Sequence, residues 1–371
     1  MRGATMSLNY AVAPGDYLAE WMEEQGMTQG EVAARLACSR KQVNEVVNGR
    51  APVTVDFAIR LERLTQIPVD AWLRYEARYR VELARLTDEE DLAERATEIH
   101  PKAASYLRSI GATQATKAKP GQLVSDFLAF HRCGTWDAYE RVHELAGQGD
   151  YSLAALTEGT RQAADLDRSL LTTWLRAGDL TEHYEAGRRF KYDREGLVAL
   201  LPTLKTRAAT PDRHLLRDLS DLLKEVGVVY MVVPPPDSLP LHGMTRWIDR
   251  RVPVIQQTGR RNTDGYLIWA FFHELGHVLN DPRGEIHVEY STRKKRDTSA
   301  ERQANQFARE VLFGPHGLAP FNGLAYDHEI RAAAREVGVS PGVAVVQMHR
   351  SRLLDFRFGN KLCVDLSGTF D

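Results

Sequence analysis

The stretch FFHELGHVLN, residues 271–280, sets His273 and His277 four positions apart around Glu274 in an otherwise apolar run. Four residues make about one helical turn, so both imidazoles would face one ion from the same side of a helix. Glu274 follows the first histidine directly, where a carboxylate can take a proton from water held by that ion. A catalytic zinc site usually has three protein ligands and one water, so a third ligand must come from elsewhere. The stretch TSAERQANQFAREVLFG, residues 298–314, offers it. Ala304, Phe307, Ala308, Val311 and Leu312 recur at helical spacing and mark a buried face. Glu301 lies three residues before Ala304 and seven before Ala308, so it projects over that face. Small side chains there, with Gly276 opposite, would let the two helices approach closely. The expected site is therefore Zn2+ on His273, His277 and Glu301, with Glu274 as base and Asn305 hydrogen-bonding a ligand. His242 and His287 are rival ligands, read as surface or hairpin histidines.

The composition sets the class. The chain has 371 residues, enough for two or three domains, and is 43% hydrophobic and 26% charged, as in an ordinary globular protein. A net charge of −2 excludes a globally basic nucleic-acid binder, so any DNA contact must be local. Cys38, Cys133 and Cys363 are odd in number and far apart, which argues for reduced thiols and against a cysteine metal site. The start, MRGATMSLNY, is not the pattern of a signal peptide, and no apolar run is long enough to span a membrane. The expectation is a cytoplasmic protein without membrane contact.

Three regions read differently along the chain: 1–88, 89–205 and 206–371. The first carries short helical patterns, the second is helix-like and polar with breaks at KAKPGQ and GQGDYS, and the third mixes periods. EVGVVYMVVPPP ends a helix and begins a β-branched run stopped by three prolines. GMTRWI and VPVIQQ flank DRR as a short antiparallel hairpin. Helix returns over 264–280, with Asp264 as its N-cap, and over 299–313, capped by Ser299. The expected fold is mainly α with a small antiparallel sheet.

Residues 27–73, MTQGEVAARLACSRKQVNEVVNGRAPVTVDFAIRLERLTQIPVDAWL, fit a five-helix helix-turn-helix module. Thr28 caps a helix with Val32, Ala33 and Leu36 inward; ACS is the turn; Ser39 caps the next, with Val43, Val46 and Val47 inward. Arg40, Lys41, Gln42 and Asn44 are left outward near the second helix's start, with Gln29 and Ser39 beside them. Such side chains suit base edges and phosphates. Residues 10–87 hold ten basic and eleven acidic side chains, so no positive field covers the module as a whole.

TQGEVAARL, SRKQVNEVVNGR and the following FAIRLERLTQIPVDAWLRYEARYRVELAR resemble the HigA-type antitoxin and repressor family over about 75 residues. That resemblance implies a five-helix, lambda-repressor-like domain on operator DNA as a homodimer. YMVVPPPDSLPLHGMTRWIDRRVPVIQQTGRRNTDGYLIWAFFHELGHVLN and SAERQANQFAREVLF resemble the ImmA/IrrE metallopeptidases over about 215–315. The second resemblance implies a zincin-like domain in which His273, His277 and Glu301 hold the metal and Glu274 is the base. It also implies cleavage of a partner repressor in a stress, phage or toxin–antitoxin response. One departure is the run Arg293, Lys294, Lys295 and Arg296, read as a solvated loop or as a guide for an acidic partner or nucleic acid. Tyr266, Arg246 and His242 are equally open as donors to a developing oxyanion, and VPVIQQ as a strand edge for an extended peptide. Two functions of different class remain: a DNA-associated zinc endopeptidase, and an antitoxin or repressor whose metal domain only senses or binds. A hydrolase of a small amide is a third.

Overall fold

The computed structural model describes residues 12–144, 167–290 and 299–369. The GQGDYS break and the basic run 293–296 lie outside them. The chain divides into two compact units, 1–96 with 117–125, and 97–116 with 126–371. The stretch 89–205 is thus shared between the two.

The first unit is built on five helices, α1 (Pro14–Glu24), α2 (Gln29–Arg35), α3 (Arg40–Val47), α4 (Val55–Thr65) and α5 (Val69–Ala93). Leu18, Val32, Leu36, Val43, Phe57, Leu61 and Trp72 meet in its core. The two caps read from the sequence form: Thr28 and Glu31 make a capping box, and the Ser39 side chain accepts from the Gln42 N–H. The ACS turn places Ala37 at φ 51°, a left-handed position that lets α3 leave α2 sharply. The long loop before α4 is held by Glu76, whose carboxylate accepts from the Val53 N–H and from Arg80.

The second unit is helical around one sheet. Its strands are β1 (Val229–Val232), β2 (Leu241–Ile248), β3 (Val252–Gln257) and β4 (His287–Tyr290), in the order β1-β3-β2-β4. The hairpin β2–β3 forms as read, with Thr245 opposite Ile255 and Ile248 opposite Val252. The sheet is mixed, not purely antiparallel, because β1 pairs with β3 in parallel. Prolines 234–236 end β1, since proline cannot extend a ladder, and the chain crosses before it starts β2. β3 is therefore an inner strand, buried along its whole length, and VPVIQQ has no edge to offer a peptide. The edges are β1 and β4.

Helix α6 (Asp264–Asn280) runs across one face of the sheet and is buried on all sides from Leu267 to Leu279. Its sequence explains this, since LIWAFF carries no polar face to turn to water. Helix α7 (Ser299–Phe313) packs alongside, as does α8 (Pro341–Arg350). Thr263, not Asp264, is the N-cap of α6. Asp264 sits one residue inside, where its carboxylate accepts from Ser340 Oγ at 2.7 Å and the Val364 N–H at 2.8 Å. It thereby ties α6 to α8 and to the C-terminal segment. The helix Arg168–Asp179 covers the opposite sheet face, where Gln256 Nε2 donates to the Trp174 carbonyl.

Candidate metal centre and helix-turn-helix face

α6 and α7 meet at their smallest residues. A Cβ on Gly276 would lie 2.9 Å from Ala304 Cα and 3.2 Å from Phe307 Cδ1. Ala304 and Ala308 are buried in this contact. The close approach carries Glu301 over the two histidines. His273 Nε2 and His277 Nε2 are 3.2 Å apart, and the two Glu301 oxygens stand 3.5 Å from one imidazole each. Two ligands about 2.0–2.1 Å from zinc at tetrahedral angles stand roughly 3.3 Å apart. The 3.2 Å between the two nitrogens is that of neighbouring ligands of a zinc tetrahedron, Glu301 turns a different carboxylate oxygen to each imidazole, and nitrogen, nitrogen and carboxylate oxygen suit that ion.

The surroundings favour positive charge there. Burial alone would lower the His277 pKa, but hydrogen bonds to Asp281 and Glu301 and the charge of Glu274 carry it up to about 10. Glu301, despite its own burial, is held well below the usual carboxylate range by the two imidazoles. Asp281 Oδ2 accepts from His277 Nδ1 at 2.6 Å, which leaves the Nε2 lone pair for a metal. His287 is not a surface histidine. It stacks on His277 with ring centroids 4.0 Å apart, and its Nε2 lies 3.2 Å from Asp281. Burial and the neighbouring His277 push its pKa down to about 4, so it is neutral. Asn305 donates to the backbone carbonyl of Glu301 at 2.7 Å and not to its carboxylate, bracing the helix turn that carries it.

Glu274 is fully buried, and Thr245 on β2 donates to its Oε2. Gly243, two residues earlier on the same strand face, leaves room at Oε1, where a Cβ would come within 3.5 Å. Side chains alternate along a strand, so Arg246 points the other way. Its guanidinium is buried against Asp179 at 2.9 Å and Gln256 at 3.0 Å, on the face away from Glu274, and cannot serve an oxyanion. His242 and Tyr266 instead line one cavity with Arg260, Arg261 and Arg350. Asp281 and Thr245 escape a reading of the sequence. Asp281 had a signal, since it follows His277 by four residues at the end of the same helix; Thr245 had none.

On the first unit, Ser39, Arg40, Lys41, Gln42 and Asn44 are exposed at the start of α3. Asn44 Nδ2 donates to Gln29 Oε1 at 3.3 Å and links the two helices of the motif. Lys41 reaches Glu45 at 3.7 Å, an exposed i,i+4 pair that water can open at little cost.

Residues 260–349 match a peptidase family model described as the IrrE N-terminal-like domain. The second unit holds an IrrE-like domain. Residues 18–72 match the helix-turn-helix family model, so one chain joins the IrrE-like domain to a helix-turn-helix. Among curated proteins no relative matches the chain. Two solved structures are similar to it. One is an addiction module antidote protein of a HigA family from Coxiella burnetii, 25% identical over 24% of this chain and 97% of that one, with a TM-score of 0.21. The other is the Pseudomonas aeruginosa antitoxin HigA with the higBA promoter, 25% identical over 25% and 98%, with a TM-score of 0.22. Among the described residues no helix is long and apolar enough to cross a membrane.

Proposed function

We propose that the IrrE-like domain is a zinc-dependent endopeptidase, and that the helix-turn-helix, as a homodimer, holds it on operator DNA. Its substrate is a regulatory protein, a helix-turn-helix repressor of a stress, phage or toxin–antitoxin response. The observation that carries this reading is the grouping of His273 and His277, 3.2 Å apart, with one Glu301 oxygen 3.5 Å from each imidazole and the buried Glu274 beside them. A structural zinc site needs no such base; it usually closes its coordination with a fourth protein ligand. Zinc, when bound, supplies Lewis acidity that makes water a nucleophile near neutral pH and polarises a scissile carbonyl. Glu274 Oε1, the oxygen that Thr245 does not engage, takes the proton of the attacking water and returns it to the departing amine. Thr245 keeps that carboxylate in one rotamer, while Asp281 orients His277 from behind. Arg40, Lys41, Gln42 and Asn44 contact DNA from α3, with Gln29 and Ser39 at its flank.

Glu274→Gln tests this directly, since it keeps the shape and removes the proton acceptor. Zinc content and promoter binding should match wild type, while loss of a co-expressed repressor should slow by at least about 10²-fold. Equal loss with both proteins would defeat the peptidase reading and leave a repressor or antitoxin whose IrrE-like domain only senses.

A further inference from the structure

The DNA-binding reading leaves one bond of the first unit without a purpose. Asn44 is exposed on α3, yet its Nδ2 donates to Oε1 of Gln29, the first residue of α2, at 3.3 Å. An exposed amide gains little stability from such a bond, because water serves it nearly as well. What the bond does is fix a direction. The helices on both sides are themselves held: Val32 of α2 and Val43 and Val46 of α3 are buried in one core, and the Thr28–Glu31 capping box ties the start of α2 without engaging the Gln29 side chain. The backbone at Asn44 is braced as well, since its carbonyl accepts from Asn48 Nδ2 at 2.7 Å and from the Asn48 N–H at 3.0 Å. Asn44 lies four residues after Arg40, one turn further along the outward face of α3.

An asparagine amide has two N–H donors and one carbonyl acceptor. With one Nδ2 hydrogen turned to Gln29, the other stays beside Oδ1, a donor and an acceptor in one plane. In the major groove adenine offers the complement, N7 as acceptor and the N6 amino group as donor. Guanine presents two acceptors there, N7 and O6, so Oδ1 would meet another lone pair; cytosine offers a donor alone and thymine an acceptor alone. A free amide could turn over and suit those bases through Nδ2. Here the turn would break the bond to Gln29 and set Oδ1 against Gln29 Oε1, so Gln29 limits the choice of base and spares rotamer entropy on binding. Over residues 10–87 ten basic side chains stand against eleven acidic ones, so the general pull on phosphates is weak and base contacts carry more of the selectivity.

We propose that Asn44 reads one adenine of the operator, bidentate to its N7 and N6, and that Gln29 is the positioning residue that holds the Asn44 amide for that base. The inference rests on the DNA-binding reading of α3 and names a base for it. Full-length protein would first select duplexes from a pool with a randomised stretch, and the enriched sequences would be read out. One position of each half-site should then be adenine. Fluorescence anisotropy with a selected duplex and its three single-pair variants at that position should show a loss of about tenfold or more for each replacement of the A·T pair. Asn44→Ala should bring the four duplexes within about twofold of one another, while discrimination at the other positions and the salt slope stay as in wild type. Gln29→Ala should keep the preference for adenine but cut it to about threefold, since the amide is still present and no longer held. Gln29→Glu should restore the ratio, because a carboxylate also accepts from Asn44 Nδ2, even as overall affinity falls by repulsion from phosphates. An adenine preference that survives Asn44→Ala, or a loss spread evenly over all positions in that variant, would overturn the base contact. Full discrimination in Gln29→Ala would overturn the positioning role. The two readings fail separately: salt-dependent binding without an adenine-selective position rejects the Asn44 contact and keeps DNA binding, whereas no salt-dependent binding to any duplex rejects both.

Discussion

Replacing Gly276 by alanine should cost zinc affinity, although this residue touches no metal. The new Cβ would stand 2.9 Å from Ala304 Cα, 3.2 Å from Phe307 Cδ1 and 3.3 Å from Ala304 Cβ. Carbon atoms that touch prefer ~3.5–4.0 Å, so α7 must retreat by roughly 0.6–1 Å at Ala304. Phe307 can rotate, but the Cα of Ala304 is backbone and moves only with its helix. Glu301 lies one turn away on the same helix and moves with it. Zinc–ligand distances tolerate only about ±0.2 Å, so one of the three proposed ligands would be released or strained. Two opposing effects act on stability: alanine favours α6 by about 1 kcal/mol over glycine, while overpacking a buried interface costs about 1–3 kcal/mol. Their near balance makes stability a poor readout and metal affinity a good one. Zinc competition against a chromogenic chelator should show a fall of about 10–100-fold, the range seen when ligand support is removed. An affinity within about twofold of wild type, with the helices still packed, would refute the idea that the α6–α7 packing positions Glu301.

Asp281→Ala should weaken zinc by a comparable factor of about 10–100, read in the same competition assay, because His277 then has no partner to fix its ring and tautomer. Arg40→Ala with Lys41→Ala should weaken binding to the protein's own promoter region and lower the slope of log affinity against log salt by about one for each phosphate no longer neutralised, measured by anisotropy; an unchanged slope would remove both from the interface. Acid should weaken the second unit through His143, whose pKa burial and nearby Arg168 lower from 6.5 to about 4. The folded state excludes the proton, so this contribution is complete above about pH 6.5 and fades as pH falls towards 4. Between pH 7 and 4.5 it amounts to about 2–3 kcal/mol. Urea midpoints should therefore depend less on pH in His143→Phe than in wild type, and parallel pH profiles would show that this imidazole does not titrate on unfolding.

The elements that the sequence determined are those whose information is local. Caps such as Thr28 and Ser39 depend on a side chain reaching an N–H three residues on, and the period of LIWAFF requires burial wherever α6 lies. The histidine pair follows from spacing within one helix. Glu301 was legible for a related reason: small residues at helical intervals announce a close helix approach, and a carboxylate one turn before them must lie over it. Tertiary structure decided what depends on distant segments. Strand β1 joined in parallel, which made VPVIQQ an inner strand. The strand pleat put Thr245 on Glu274 and turned Arg246 away to Asp179, and no local pattern tells which face of β2 meets α6. Asp264 reads as a cap by its position, yet its carboxylate is drawn to Ser340 and Val364, 76 and 100 residues away, because a buried charge takes the donors that packing brings to it. His287 became part of the surroundings of the candidate metal centre in the same way, since the β2–β4 ladder lays it on His277.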